Sequence, residues 1–218
     1  MECCRDGDGI PRVNEFHSLA LDKLAQNLPL VRAPWPRPPG ASEFPEAGVL
    51  VALTDEPEPR VLLGRRSKHL PQHPGEVAFP GGKREPEDQS PWSTAIREAQ
   101  EEVGLVEQGI VPLGELPPLI TRTGFKVYPF AAVIGPRPQL VVDEAEFDSV
   151  FMPTLSTFAD ASIYRVESMF DGKRNRMVPH YQVGSDNVWG VTAAVLVLLA
   201  NVAYDAGFDL QRDWEQKP

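Results

Sequence analysis

The chain has 218 residues, a length that suits one domain with a sizeable core. Its formal net charge is −10, which argues against non-specific nucleic-acid binding, because that binding depends on many Lys and Arg contacts to phosphates. The two cysteines, Cys3 and Cys4, are adjacent, so they exclude a disulfide framework and a zinc site.

The sequence predicts a cytoplasmic protein without a membrane partner. Its first residues are acidic and lack the apolar run of a secretory signal. The longest apolar stretch, residues 191–204, is too short to span a membrane and is interrupted by Asn201, so a buried helix is expected. Adjacent N-terminal cysteines fit a reducing compartment.

Residues 1–45 are predicted to hold a short helix and a Pro-rich arm. Residues 14–28 place Phe16, Ala20, Leu24 and Leu28 at near-helical spacing. Prolines that mark an extended arm follow at Pro29, Pro34, Pro36, Pro38, Pro39 and Pro45. We expect this segment to serve packing, and a homodimer in which it covers the partner is a further expectation.

From Ala47 the pattern turns to β structure. AGVLVAL and RVLLGRR are strand-like runs, and EVAF is a short strand before Gly81 and Gly82. Further on, VPLGELPPLI and FKVYPFAAVI are rich in strand formers, and residues 151–158 predict a short strand entering a small helix. IYRVESMF and RMVPHYQV predict a hairpin that turns at Asp171-Gly172. An apolar helix over residues 189–204 closes the domain.

Between these strands, REAQEEVGL predicts a helix with one acidic face. At about 100° per residue, Arg97, Glu98, Glu101 and Glu102 fall on one side, and apolar residues occupy the other. Gly104 is placed to end the helix. Glu98 and Glu102 lie one turn apart, where like charges repel and a divalent cation would remove the repulsion. Carboxylates alone favour Mg²⁺ or Mn²⁺ over zinc, although a solvated acidic face is the alternative for this helix taken alone.

Residues 75–105 resemble the signature of the Nudix hydrolase family. That signature is Gly, five residues, Glu, seven residues, then Arg-Glu-apolar-any-Glu-Glu-any-Gly-apolar. The match is good from Arg97 to Leu105. In the loop, Asp88 stands where the pattern has Glu, and eight residues separate it from Arg97. The resemblance implies an α/β fold, a Nudix-type α/β/α sandwich with a mixed sheet, over residues 46–205, followed by a tail over residues 206–218.

Flanking stretches look like the coenzyme A pyrophosphatase branch of the family. They are LLGRRSKHLPQHPGEVAFPGG, TRTGFKVYPF and WGVTAAVL. This likeness implies metal-dependent cleavage of coenzyme A, or of its acyl derivatives, into 3′,5′-ADP and 4′-phosphopantetheine. Two alternatives stay open: the same chemistry on ADP-ribose or another nucleoside diphosphate derivative, and a non-catalytic Nudix-fold binding domain. The three intact glutamates argue against the last.

The resemblance also implies roles for single residues. Glu98, Glu102 and Glu101 would ligate Mg²⁺ or Mn²⁺, with Glu98 and Glu102 foremost because they share a face. Glu98 or Glu146 would be the general base, although Glu146 could belong to a solvated acidic loop. Arg97 joins this catalytic set as its organiser, holding Glu101 or a loop carbonyl.

Basic residues close to the signature are the predicted substrate contacts. The 3′-phosphate of coenzyme A would need Arg or Lys to compensate it. A surface loop is the alternative for this cluster. The predicted set comprises Arg65, Arg66, Lys68 and His73, with Gly82, Arg122 and Phe125 bordering the substrate.

Overall fold

The structure is a computed structural model that describes residues 16–35, 40, 42–170, 172 and 175–210. Several features predicted from the sequence therefore lie outside the described residues. These are the cysteine pair (Cys3 and Cys4), the predicted start of the first helix (Asn14) and the middle of the Pro-rich arm (Pro36, Pro38 and Pro39). The first residue of the hairpin turn (Asp171) and the end of the tail (residues 211–218) also lie outside them.

The described residues form three α-helices and eleven strands. The helices are α1 (Leu19–Asn27), α2 (Pro91–Val103) and α3 (Gly190–Tyr204). The strands are β1 (Glu46–Thr54), β2 (Leu63–Arg66), β3 (Val77–Ala78), β4 (Gly81–Lys83), β5 (Val111–Glu115), β6 (Leu119–Ile120), β7 (Lys126–Ile134), β8 (Phe147–Phe151), β9 (Tyr164–Phe170), β10 (Asn175–Val183) and β11 (Asp186–Trp189).

A mixed sheet lies at the centre of the fold. β1 and β7 pair in parallel over their whole length, and β4 adds an antiparallel edge strand next to β1. β5 and β6 both pair antiparallel with β7. Two three-stranded sheets, β3-β2-β8 and β11-β10-β9, flank this centre.

Side chains of the central strands alternate between two cores, as successive residues of a strand must. Leu50 and Ala52 of β1 pack in the core that includes the apolar face of α2. Val51 and Leu53 pack in the other core, with α1 and α3. Helices therefore cover both faces of the mixed sheet, and the predicted α/β/α sandwich is confirmed.

The N-terminal helix is part of the larger core. Leu21 and Leu24 of α1 are fully buried, and α1 packs against α3. Leu210, in the segment predicted to be a tail, is buried in the same core. The described parts of both flanking segments thus share a core with residues 46–205.

The ends of α2 follow from its capping residues. The Ser90 hydroxyl accepts a hydrogen bond from the Ser93 amide, and the Ser93 hydroxyl accepts one from the Ser90 amide, while Pro91 occupies the first turn. The helix therefore starts six residues before Arg97. Gly104 ends it at φ 72°, in the left-handed conformation predicted for that position.

Other elements differ from prediction at their edges. The strand expected at Phe151 ends there, and a 3₁₀ segment over Leu155–Ala159 follows. The β9–β10 hairpin forms as predicted, but β11 was not foreseen. Of the helices in the described part of the chain, none combines the length and apolar character that crossing a bilayer requires.

Candidate active site

Two glycines bring the edge strand β4 against the acidic face of α2. A Cβ atom on Gly82 would collide with the carboxylate of Glu98. The Gly81 amide donates a hydrogen bond of 2.9 Å to Oε2 of Glu102. The absence of a side chain at Gly82 therefore makes room for Glu98, and the backbone amide of Gly81 binds Glu102 directly.

Glu102 is the more deeply buried of these two carboxylates. Burial raises its pKa to about 8, and the negative charges of Glu98 and Glu146 act in the same direction, against the Gly81 amide and Arg66. Burial also raises the pKa of Glu98, although the positive charge of Arg97 opposes this shift. Burial is thus the main factor that favours the neutral form of both carboxyl groups.

Arg97 organises the acidic face by binding three carboxylates at once. Its Nη1 donates to Glu101 at 2.9 Å, and its Nη2 lies 2.9 Å from Oε1 of Glu98 and 3.1 Å from Oδ2 of Asp88. The same Nη2 donates to the carbonyl of Lys83 at 3.3 Å. The sequence predicted a contact with Glu101 or with a loop carbonyl, and Arg97 makes both.

Asp88 is a site residue whose role the sequence reasoning missed. Its carboxylate is buried and accepts hydrogen bonds from Arg97, the Thr94 hydroxyl and the Glu85 amide. Burial opposes ionisation, but these donors lower the pKa of Asp88 below its ordinary value. The signal in the sequence was the departure from the Nudix pattern at this position.

The carboxylates fit a divalent cation that takes its remaining ligands from water or from the substrate. Glu98 and Glu102 lie on consecutive turns of α2, and a cation there would favour the ionised form of Glu102, whose pKa is raised by burial and by the neighbouring carboxylates. Glu101 is 59% exposed and pairs with Arg97. In the part of the chain that the structure describes, no three Asp, Glu, His or Cys side chains form a ready metal-binding group. Two carboxylates suffice for Mg²⁺, which commonly takes its other ligands from water and substrate phosphates.

A cleft of about 1100 Å³ opens from these carboxylates. Its walls come from α2, β3, β4, the 121–125 turn, the β9–β10 hairpin and the start of α3. Most of the predicted site residues line it, namely Glu98, Glu101, Glu102, Glu146, Arg66, His73, Gly82, Arg122 and Phe125.

The predicted basic cluster divides between two sides of β2. Arg66 lines the cleft, where its Nη2 lies 3.8 Å from Oε2 of Glu146. Arg65 points the other way, and its Nε and Nη2 donate to the carboxylate of Asp186 at 2.8 Å and 2.7 Å. Neither Arg65 nor Lys68 is among the described residues that line the cleft. The structure therefore assigns Arg65 to joining β2 with β11, and it does not bring Lys68 to the site.

The remaining predicted residues lie at the rim. The Glu146 side chain is 38% exposed beside Arg66. His73 pairs with Glu76, its Nδ1 lying 3.0 Å from Oε2. Arg122 is exposed in a turn that is closed by a hydrogen bond of 2.8 Å from the Thr121 amide to the Phe125 carbonyl.

The cleft also contains residues that the sequence did not assign to it. Trp189, the last residue of β11 and the N-cap of α3, lines the cleft as well. Met169 and Phe170, from the β9–β10 hairpin, are exposed apolar residues of the cleft wall. Their alternating strand pattern gave no indication of a ligand, so only the folded hairpin places them here.

Comparisons with known proteins agree with this geometry. The model of the NUDIX domain matches residues 44–168, more than half of the chain. A protein from Pectobacterium atrosepticum named uncharacterized Nudix hydrolase NudL is 40% identical over 157 residues, which cover 71% of this chain and 81% of that protein. A protein of the same name from Yersinia enterocolitica is 38% identical over 154 residues, which cover 71% of this chain and 79% of that protein.

Solved structures show the same fold. A Nudix hydrolase from Alicyclobacillus acidocaldarius aligns with a TM-score of 0.52 at 19% identity, over 75% of this chain and 94% of that one. A MutT/nudix family protein from Enterococcus faecalis aligns with a TM-score of 0.53 at 20% identity, over 77% of this chain and 64% of that one.

Proposed function

The chain belongs to the Nudix hydrolase family, and from this premise we propose that it hydrolyses the diphosphate bridge of coenzyme A to 3′,5′-ADP and 4′-phosphopantetheine. One observation carries the choice of substrate. Parts of all three segments that look like the coenzyme A branch, within residues 72–82, 121–125 and 189–194, line the same cleft as the carboxylates of α2. Segments that are far apart in the sequence thus face one ligand-sized space.

Nudix hydrolases generally require a divalent cation, and in this chain Glu98 and Glu102 would hold it. When bound, the cation neutralises phosphate oxygens and activates the attacking water. We take Mg²⁺ or Mn²⁺ as the ion because the ligands are carboxylates. Glu101 would act at the rim of the cleft, where its side chain pairs with Arg97 and is partly exposed.

Glu146 is the proposed general base. It faces the same cleft as Glu98 and Glu102, and its exposed carboxylate can accept the proton of a water molecule whose oxygen attacks phosphorus. The bond between that phosphorus and the bridging oxygen then breaks, leaving two phosphate monoesters. Such proton transfer contributes about 10²–10⁴-fold. Glu98 is less suited to this task because Arg97 already binds it at 2.9 Å.

The lining of the cleft offers both kinds of contact that coenzyme A needs. Arg66 and Arg122 offer cations to its phosphates. Leu119, Phe125 and Phe170 offer an apolar surface to the pantetheine arm. The chain as a whole is acidic, so these local cations are what would attract an anionic ligand.

A substrate panel tests this proposal. We expect kcat/KM for coenzyme A to exceed that for ADP-ribose with Mg²⁺ or Mn²⁺ present. A preference for ADP-ribose would assign the protein to another branch of the family. Stoichiometric binding without product would instead indicate a binding domain.

The partner of the 3′-phosphate can be identified by comparing coenzyme A with dephospho-coenzyme A. If Arg66 or Arg122 binds this phosphate, replacement by Ala should reduce transition-state stabilisation by about 1.5–3 kcal/mol on coenzyme A, and by much less on dephospho-coenzyme A. Lys68→Ala is the matched control, since Lys68 is exposed and does not line the cleft. Equal losses on the two substrates would exclude pairing with the 3′-phosphate.

A further inference from the structure

A buried ion pair lies behind the loop that precedes α2. Nη1 of Arg84 is 2.7 Å from Oε2 of Glu46, and the two side chains are only 2% and 3% exposed. The Tyr128 hydroxyl donates to the other oxygen of Glu46 at 3.2 Å. Removing two charges from water is unfavourable, and a buried pair often adds nothing to stability compared with apolar residues. A role in positioning other groups would explain why it is there.

Two further donors of Arg84 bind the loop itself. Nε donates to the carbonyl of Asp88 at 3.1 Å, and Nη2 donates to the carbonyl of Gln89 at 2.8 Å. One planar guanidinium therefore joins the first residue of β1 to two consecutive carbonyls just before the α2 cap. A Lys side chain has a single ammonium group and lacks this fork.

The loop that Arg84 holds carries the contacts that orient the acidic face. The Asp88 carboxylate binds Nε and Nη2 of Arg97 at 3.2 Å and 3.1 Å. Arg97 in turn lies 2.9 Å from Glu98. The carbonyls bound by Arg84 also lie where the loop departs from the Nudix pattern, with Asp for Glu and one additional residue before Arg97. Arg84 thus fixes the backbone from which the shorter Asp88 side chain reaches Arg97.

We propose that Glu46 and Arg84 are positioning residues for the hydrolytic site, acting through Asp88 and Arg97 on Glu98. Neither is among the described residues that line the cleft, so the proposed role requires no contact with substrate. The proposal rests on the hydrolase activity of the family and on the proposed role of Glu98 as a ligand of the cation. It does not depend on the identity of the substrate.

A set of variants separates positioning from general stabilisation. Glu46→Gln and Arg84→Gln each break the buried ion pair by removing one of its two charges, and should lower the melting temperature. The double variant removes both charges, so its melting temperature should recover. Its kcat and its affinity for Mn²⁺ should nevertheless stay about 10–100-fold below those of the wild type, with KM changing much less. Arg84→Lys keeps the charge next to Glu46 but loses the fork, so it should melt near the wild type and still show reduced kcat.

Calorimetric titration with Mn²⁺ alone needs no substrate, and kcat is measured on whichever substrate the wild type cleaves best. Failure of the coenzyme A proposal would therefore leave this test intact. The matched control is the Arg32–Glu115 pair, whose atoms lie 2.8 Å apart beside β5, away from the cleft. Its double Gln variant should leave kcat and Mn²⁺ affinity unchanged. The proposal is overturned if the Glu46/Arg84 double variant regains kcat and Mn²⁺ affinity together with its melting temperature, or if Arg84→Lys is fully active.

Discussion

At the residue scale, cation binding should depend most on Glu102. Its carboxylate is buried beside Glu98, and burial raises its pKa to about 8. Below that pH a proton competes with the cation for the carboxylate. We therefore expect the apparent affinity for Mg²⁺ to rise with pH until about pH 8 and then to level off.

The Glu102→Gln variant isolates this effect. The amide oxygen can still accept the hydrogen bond from Gly81, so the fold should be retained, whereas Mg²⁺ affinity, its pH dependence and turnover should largely be lost. Calorimetric titrations at several pH values measure the first two, and circular dichroism checks the fold. Unchanged affinity and activity in this variant would contradict the assignment of Glu102 as a ligand.

The residue scale also shows where prediction from sequence ends. The helical spacing of Arg97, Glu98, Glu101 and Glu102 was sufficient to place them on one face. Arg65 and Arg66 could not be separated in the same way. The run that ends with them, RVLLGRR, is apolar without alternation before Arg65, so nothing in it indicates which arginine faces the cleft. Asp186, which takes Arg65 away from the cleft, is 121 residues distant in the chain.

At the scale of elements, the site depends on how closely β4 approaches α2. Gly82 does not have a positive φ, so its backbone can accept Ala, but a Cβ there would meet the Glu98 carboxylate. We expect Gly82→Ala to fold with a stability change within about 1 kcal/mol and to lose on the order of 100-fold in kcat, because Glu98 must move.

Thermal denaturation and steady-state kinetics measure the two effects of Gly82→Ala. Gly135→Ala is a suitable control, because a Cβ at Gly135 would meet no atom within 4 Å in the described structure. If Gly82→Ala has the kcat of the wild type, the close contact with Glu98 is not required for turnover.

The helices and the hairpin follow from local signals such as Ser90, Gly104 and alternating strand residues. The approach of β4 to α2 does not, because it depends on the pairing of Gly81 and Gly82 with β1. A pair of glycines in a sequence indicates a permissive backbone, but not which side chain will occupy the space that they leave.

At the scale of the whole molecule, the N-terminal helix completes the core. Leu24 of α1 is fully buried in the same cluster as α3. We expect Leu24→Ala to lower the free energy of unfolding by about 2–5 kcal/mol, through lost burial and a residual cavity. Mg²⁺ affinity should be unchanged wherever the protein is folded, because α1 is remote from the carboxylates.

Denaturant titration measures this loss, with Leu19→Ala as the control on the same helix, since Leu19 is 82% exposed. Equal stabilities of the two variants would mean that α1 does not pack on the core in solution. The sequence predicted this helix and a packing role for its segment, but amphipathic spacing does not identify the surface that an apolar stripe will cover.

The burial of Glu102 also links the fold to the concentration of free cation. In the unfolded chain this carboxyl group titrates near 4.5, and in the folded protein near 8. Between these values the folded state retains a proton that the unfolded chain has released, so stability falls as the pH rises. A cation that binds only the folded state opposes this loss by mass action. Chelation of the cation at alkaline pH would therefore remove activity and lower the free energy of unfolding together. The enzyme would be least stable under the conditions in which it is inactive.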